Sequence, residues 1–252
     1  MAQSEVTMIG RNPFSILASV YDDIMRDIEY AEWAQYIAEF LKPYPPPQTL
    51  LDLACGTGNS TQVLGSLCDD IMGIDASEDM LIQAKRKLPH VVFKEAGLTE
   101  FALSKRFDLI TCLFDSLNNL TDPQDLQAAL FRIRDHLQPD GWFVADINTP
   151  LGVQELWEGE AIEGLALTEQ GDEVHYHWSH HHDAETELGV VQAFFRFEDQ
   201  TYYEIHSERG YSTKDLEPML KKAGFGRFYF HEYPHFDAPH PEARRIWIFA
   251  QA

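Results

Sequence analysis

A glycine-rich turn follows an apolar stretch early in the chain. Leu51-Asp52-Leu53-Ala54 leads into Cys55-Gly56-Thr57-Gly58-Asn59 and then into residues of helical periodicity. Glycines permit a tight turn and let the backbone approach a ligand closely, and open α/β sheets bind ligands at the carboxyl edge of their strands. We therefore predict a small-molecule site at this turn, with contacts from Asp52, Ala54, Cys55, Gly56, Thr57, Gly58 and Asn59.

A carboxylate stands at the end of the next predicted strand. Asp75 lies 19 positions after Gly56, where an acidic side chain can accept hydrogen bonds from both hydroxyls of a ribose. A dinucleotide-binding fingerprint would continue to a third glycine, but Thr61 occupies that position. Close approach to a pyrophosphate is therefore not supported, and a nicotinamide-dependent oxidoreductase is kept only as an alternative.

The turn and the carboxylate belong to an alternation of predicted strands and helices. Strands are expected at 49–54, 70–75, 91–95, 107–114 and 142–146, with helices at 60–67, 78–87 and 123–136. Strands separated by helices imply a parallel sheet. Helical periodicity also covers 14–41 and 212–223, the latter with Thr213 as the expected start cap and Gly224 as the end cap, and the last strands are expected at 227–232 and 245–250.

The stretch from 151 to 210 has a different texture. Aromatic and β-branched residues alternate with polar ones, and short turn segments separate the runs, which is typical of an antiparallel meander. We predict an α/β core made of residues 1–150 and 211–252, with an N-terminal helical cap. Residues 151–210 would form an antiparallel β insertion that acts as a lid.

Composition limits the classes of partner. The formal net charge of -22 disfavours nucleic acid and anionic membranes, because both would repel an acidic surface. Three cysteines without a Cys-x-x-Cys pair disfavour a disulfide framework, and the histidines between 175 and 182 fit a lid hairpin better than a metal site. Without a signal-type or membrane-spanning apolar run, we expect a cytoplasmic monomer or homodimer that acts on a small molecule and binds no metal.

Two motifs together resemble those of the class I methyltransferases. LLDLACGTGNST is similar to the first motif of that family and GIDASEDML to the second, and the resemblance spans most of the chain. FDLI followed by DSLNNL, and ERGYS before a helix, are similar to small-molecule members. The resemblance implies S-adenosylmethionine as cofactor and a doubly wound, Rossmann-like sheet of seven mainly parallel strands whose last two form a hairpin. It also implies methyl transfer to nitrogen or oxygen of a small acceptor.

The resemblance further implies which residues meet the cofactor. The glycine turn would contact the methionine part, Asp75 the ribose, and an early helix carrying Tyr21 and Trp33 would close over the site. At Gly97 the family usually has an acidic residue near the adenine, so backbone amides at this turn or Glu95 in a shifted register remain alternatives. The other implied contacts are Ala76, Met80, Ala96, Gly97, Leu98, Leu113 and Phe114.

Methyl transfer from a sulfonium makes modest demands on the protein. It must align the acceptor behind the methyl carbon and exclude water. Asp115, after the fourth strand, is the first candidate for a base, with a helix cap as the alternative role; Asn118 would orient the acceptor and Tyr211 would reach in from the lid hinge. A module that binds S-adenosylmethionine or S-adenosylhomocysteine without catalysis is the second hypothesis.

Overall fold

Two β-sheets organise the chain. The computed structural model describes residues 8–157, 161–197 and 199–252. The elements in chain order are β1 (Met8–Gly10), α1 (Tyr21–Ile24), α2 (Tyr30–Leu41), β2 (Thr49–Leu53), α3 (Asn59–Leu64), β3 (Asp70–Asp75), α4 (Glu78–Lys87), β4 (Val92–Glu95), β5 (Phe107–Cys112), α5 (Pro123–Asp135), β6 (Leu137–Asn148), α6 (Pro150–Trp157), β7 (Ile162–Leu167), β8 (Glu173–Asp183), β9 (Leu188–Phe197), β10 (Gln200–Arg209), α7 (Thr213–Ala223), β11 (Arg227–His231) and β12 (Arg245–Gln251).

The larger sheet has seven strands in the order β11-β12-β6-β5-β2-β3-β4. Only β12 runs against the others, which confirms the predicted doubly wound, mainly parallel sheet with a final hairpin. Successive residues of its strands pack into opposite layers, because side chains alternate along a strand. Leu51, Ile110 and Phe143 lie in one apolar layer, whereas Leu50 and Leu109 lie in the other. No helix in the described ranges is both long enough and apolar enough to cross a membrane.

Two segments between residues 137 and 157 differ from the prediction. β6 begins at Leu137, so the segment 138–141, expected to be a loop, is part of the strand. The reason is pairing: Leu137 lies opposite Phe107, and the register shifts before Leu109 pairs with Trp142. The helix α6 was not predicted, because it is a single short helix within a stretch dominated by strand-like alternation.

The start of α7 shows a second correction. Ser212, not Thr213, caps the helix: its hydroxyl accepts a hydrogen bond from the Asp215 amide, and the Asp215 carboxylate accepts one from the Ser212 amide at 2.9 Å. This reciprocal pair satisfies two backbone donors that the first turn of a helix leaves open. Gly224 ends the helix with a φ of 92°, as predicted.

Ser212→Ala is expected to lower the free energy of unfolding by about 1 kcal/mol, because it removes the cap acceptor. Thr213→Ala, one residue along, removes no cap bond and should change the free energy of unfolding by less than half as much. Urea unfolding followed by circular dichroism measures both variants. A larger loss of unfolding free energy in Thr213→Ala than in Ser212→Ala would indicate that Thr213 is the cap.

The second sheet has five strands in the order β1-β10-β9-β8-β7. Its four long strands form an antiparallel meander, and β1 pairs in parallel with the outer edge of β10. The division of the chain into core and insertion stays a prediction, but the structure adds residues 8–10 to the second sheet. A strand of three residues carries too short a pattern to be recognised from sequence.

The N-terminal segment, defined here as residues 14–24, packs against one face of the second sheet, which we call its inner face. The carboxylate of Glu204, which is fully buried on β10, accepts hydrogen bonds from the amides of four consecutive residues at 2.5–3.2 Å. The His206 ring stacks edge-on against Phe14, with ring centroids 4.7 Å apart. This anchoring fixes where α1 begins, and so where Tyr21 lies. The four amides belong to Phe14, Ser15, Ile16 and Leu17.

Candidate active site

The glycine turn lies at the carboxyl edge of β2 and has an unusual backbone. Ala54, Gly56 and Gly58 all have positive φ values, 51°, 54° and 85°. A side chain built at Gly56 would meet no atom within 4 Å, so an open space adjoins the turn. Asp75, at the end of β3, accepts a hydrogen bond from the Gly56 amide at 2.8 Å and one from the Ser77 amide at 2.8 Å. The structure therefore brings the turn and this half-buried carboxylate together.

The surroundings of Asp52 do not support the predicted contact with the cofactor. Its side chain is fully buried and accepts hydrogen bonds from the hydroxyls of Ser60, Thr61 and Thr111 at 2.7–2.8 Å. These bonds tie β2 to α3 and β5, because a buried carboxylate must find donors within the protein. Burial raises the pKa of Asp52, and the three hydroxyls act against that shift.

Asp22 fastens α1 to the glycine turn. Its Oδ1 accepts hydrogen bonds from Thr57 Oγ1 at 2.6 Å and from Asn59 Nδ2 at 3.0 Å, and its Oδ2 is 2.6 Å from Lys87 Nζ. Tyr21 immediately precedes Asp22 in the chain, so these bonds of Asp22 hold the Tyr21 phenol beside the turn. Burial, followed by the proximity of Tyr30, raises the pKa of the Tyr21 hydroxyl.

Several aromatic rings pack together between α2 and the end of β5. The Trp33 ring lies 5.2 Å from Tyr30 and 5.5 Å from Phe114, measured between centroids, and also contacts Trp247. The Tyr30 hydroxyl is shielded from solvent. Of the predicted contacts, Tyr21, Trp33 and Phe114 are thus brought to one region, and Tyr30 joins them.

The turn after β5 is strained at two residues that are not glycine. Phe114 has a φ of 59° and Asp115 a φ of 48°, a region that residues with side chains seldom occupy. Asp146, at the end of β6, holds both in place: its two carboxylate oxygens accept hydrogen bonds from the Phe114 amide at 2.6 Å and the Asp115 amide at 3.0 Å. Such strain persists where surrounding bonds impose it, and it concentrates at functional sites.

Four charged groups meet at this edge, and we call them the acidic cluster: Asp115, Asp146, Glu208 and Arg245. Arg245 Nη2 donates to Asp115 Oδ2 at 2.6 Å, and Arg245 Nη1 lies 3.1 Å from Asp146 Oδ2. Burial raises the pKa of Asp146 to about 6 in spite of Arg245. Two carboxyl groups therefore pair with one guanidinium, and Glu208 lies close enough to interact with its charge. Asp115 also accepts a hydrogen bond from Asn148 Nδ2 at 2.7 Å. A proton accepted by Asp115 would therefore compete with the hydrogen bonds from Arg245 and Asn148.

Two predicted catalytic residues make structural bonds that do not support their predicted roles. Asn118 is fully buried; its amide donates to the carbonyls of Asn148 and Arg209 at 2.9 and 2.7 Å, and its oxygen accepts from the Asn148 amide at 2.9 Å. These bonds occupy the groups with which it was predicted to orient an acceptor. Tyr211 is buried in the core of the larger sheet, and its hydroxyl donates to the Leu120 carbonyl.

The other predicted contacts differ in their exposure. Cys55 and Leu113 are buried at the start of the turns that follow β2 and β5, and Ala76, just after β3, is exposed. Met80 packs with Leu17 and Val20 under the second sheet, so it is a core residue and does not support the predicted cofactor contact. Three half-buried residues form the turn after β4, and the alternative, Glu95, is exposed. Those three are Ala96, Gly97 and Leu98.

Several site residues were missed from sequence. Asp146 and Asn148 end an apolar strand at the carboxyl edge, so the rule that located Asp75 and Asp115 would have found them. Arg245 begins the one reversed strand, which brings the start of β12 to the same edge, opposite Asn148. Glu208 lies in the ERGYS segment noted above, but the pattern favoured Tyr211 over it. Nothing in the local pattern singles out the remaining ones, which are Asp22, Tyr30 and Lys87.

Comparison with known proteins finds similarity to methyltransferases. The model of a methyltransferase domain matches residues 50–141. A putative methyltransferase of Bacillus subtilis, YqeM, is 29% identical over 217 residues, covering 82% of this chain and 84% of its own length. dTDP-3-amino-3,6-dideoxy-alpha-D-glucopyranose N,N-dimethyltransferase of Streptomyces fradiae is 33% identical over 150 residues, covering 58% of this chain and 59% of its own.

A solved structure matches nearly the whole chain. The S-adenosylmethionine-dependent methyltransferase from Clostridium acetobutylicum ATCC 824 superimposes with a TM-score of 0.75 at 25% identity, over 92% of this chain and 95% of its own. The chain therefore contains a methyltransferase domain at residues 50–141, and it uses S-adenosylmethionine.

Proposed function

We propose that the protein methylates the nitrogen of a small-molecule amine. Methyl transfer to a small molecule is supported by the relatives, and the choice of nitrogen rests on charge. Asp115 and Asp146 both pair with the guanidinium of Arg245, and Glu208 lies beside them. Carboxylates removed from water require compensating positive charge. An ammonium group supplies that charge on binding, whereas a hydroxyl does not.

We assign cofactor binding to the glycine turn, Asp75 and the residues that cover them. The open space at Gly56 gives the methionine part of the cofactor room beside the backbone, and Asp75 keeps lone pairs for the ribose hydroxyls. When bound, S-adenosylmethionine supplies a methyl group made electrophilic by its sulfonium. Tyr21 and Trp33 exclude water from that side. The turn at Ala96, Gly97 and Leu98 is our assignment for the adenine.

The relatives support an aminated acceptor. The enzyme of Streptomyces fradiae is named for N,N-dimethylation of a dTDP-linked 3-amino sugar, and that of Streptomyces venezuelae for the same reaction on a related amino sugar. Both are 33% identical to this chain over half its length or more. We therefore propose an amine carried by a sugar or a comparable polar molecule.

A matched pair of acceptors tests the choice of nitrogen. The purified protein is given S-adenosylmethionine with dTDP-3-amino-3,6-dideoxy-α-D-glucopyranose, or with the same nucleotide sugar carrying a hydroxyl at that carbon, and then with paired simple amino sugars and sugars. We expect a mass increase of one or two methyl groups, and release of S-adenosylhomocysteine, only with the amines. Methylation of the hydroxyl members would show that the acceptor atom is oxygen.

We also propose that the reaction takes place in the cytoplasm. Cys55, Cys68 and Cys112 are buried as free thiols. Unpaired cysteines accord with a reducing compartment, where thiols stay reduced.

A further inference from the structure

Three ionisable side chains follow one another on the inner face of β10. Glu204 and His206 hold the N-terminal segment, as described above. Glu208 is the next residue on this face and lies at the end of the strand, beside the acidic cluster. Its Oε2 is shielded from solvent and accepts no hydrogen bond from any residue within the described ranges. A buried carboxylate oxygen without a donor is rare in folded proteins and calls for an explanation.

The neighbours of Glu208 are already engaged with one another. The three nitrogens of the Arg245 guanidinium point to separate partners: Nη2 to Asp115, Nη1 to Asp146 and Nε to the Asn148 oxygen at 3.1 Å. Asp146 uses both oxygens to hold the turn after β5. Asp115 is bonded by Arg245 and Asn148 through Oδ2 alone. Of the buried carboxylate oxygens in the cluster, Glu208 Oε2 is the one that accepts no hydrogen bond from a described residue.

We propose that Glu208 is the base that takes a proton from the acceptor's ammonium group, an inference that rests on the proposed amine function. The carboxylate Oε2 accepts one proton, so that R–NH3⁺ becomes R–NH2 and Glu208 becomes a neutral acid. The nitrogen lone pair then forms the bond to the methyl carbon as the bond from that carbon to sulfur breaks. The positive charge passes from sulfur to the methylated nitrogen, and Glu208 returns its proton to water before the next cycle.

The surroundings tune this group for the task. Burial, followed by the negative charge of Asp115, raises the pKa of Glu208 to about 8, and the Asn148 hydrogen bond and Arg245 oppose that shift. The titratable groups around it are Asp115 after β5, Asp146 on β6, Arg245 on β12, His206 on β10 and, beyond Asp115, Tyr21 on α1. A base is most effective when its pKa is near the working pH. Because only the carboxylate accepts a proton, turnover should rise as pH increases through about 8.

The closing experiment measures kcat against pH with the amine acceptor for four proteins. Glu208→Gln keeps the size of the side chain and removes its basicity, and we expect kcat to fall by about 100-fold, with loss of the pH dependence. Asp115→Asn keeps an oxygen toward Arg245 but removes a charge that raises the pKa of Glu208, so the rise in kcat should move to lower pH. Glu163→Gln, on the outer face of the second sheet with an 84% exposed side chain, should behave as the wild type.

An infrared titration of the same proteins, with S-adenosylhomocysteine bound and no acceptor, gives a readout independent of turnover. The C=O band of a protonated carboxyl group should disappear through about pH 8 in the wild type and be missing in Glu208→Gln. Equal kcat profiles for wild type and Glu208→Gln on an amine that both methylate would overturn the role of Glu208 and leave the amine function standing. Transfer to hydroxyls but not amines overturns the amine function, and the role of Glu208 with it.

Discussion

Glu204→Ala should detach the N-terminal segment from the second sheet and lower the free energy of unfolding by at least about 3 kcal/mol. The substitution leaves four amides without their acceptor in a buried place, from Phe14 to Leu17. Since α1 follows directly, Tyr21 would lose its fixed position, and affinity for S-adenosylmethionine should fall by more than 10-fold. Thermal unfolding and calorimetric titration measure the two effects.

Glu204→Gln is the matched control for this prediction. It preserves the length of the side chain and one carbonyl oxygen, but it replaces the charged acceptor with a weaker neutral one. We expect losses of stability and affinity between those of the wild type and of Glu204→Ala. If both variants bound the cofactor as the wild type does, the anchoring would have no part in forming the site.

Gly58→Val should lower affinity for S-adenosylmethionine by at least about 100-fold. The residue has a φ of 85°, where a β-branched side chain is strained, and a Cβ would already lie 3.4 Å from Ala84 Cβ and Leu88 Cδ1. The two γ-methyl groups of valine have no room there, so the turn must shift away from α4. Titration with S-adenosylmethionine and S-adenosylhomocysteine measures the loss.

The chain offers a control with the same backbone strain elsewhere. Gly171, between β7 and β8, has a φ of 87°, and a Cβ at this residue would have no atom within 4 Å, so a side chain there meets open space. Gly171→Val should cost a similar ~1–2 kcal/mol of backbone strain and leave cofactor affinity unchanged. Equal losses of affinity in the two variants would mean that general destabilisation, not the turn, is responsible.

The frame of the site was predictable because its signals are local. β3 and α4 have the expected bounds, and the pair of Gly56 and Asp75 lies together as predicted, since a strand, a tight turn and a helix are each encoded by neighbouring residues. The carboxyl-edge rule then locates any polar residue that follows a parallel strand. The rule points to the turn at Asp115, but it did not identify the residues whose hydrogen bonds hold that turn in place.

The residues of the acidic cluster that come from β10 and β12 could not be identified from local sequence patterns. Glu208 reaches the cluster because β10 ends beside β6, and Arg245 because β12 is reversed, and neither fact is visible in a window of neighbouring residues. The same limit explains why the burial of Tyr211 was not foreseen. Sequence shows that the segment 208–212 adjoins the site, but which of its side chains face the site and which face the core depends on how the strand is packed.

The placement of Glu204 and Glu208 on one face of one strand has an evolutionary consequence. The first holds the segment that we propose covers the cofactor, and the second is the base that we propose for the acceptor, four residues further on. A change in β10 that reshapes acceptor choice by twisting or shifting the strand would also disturb the cofactor cover. Divergence toward new acceptors should therefore be accompanied by compensating substitutions among residues 14–17, although these never touch the acceptor.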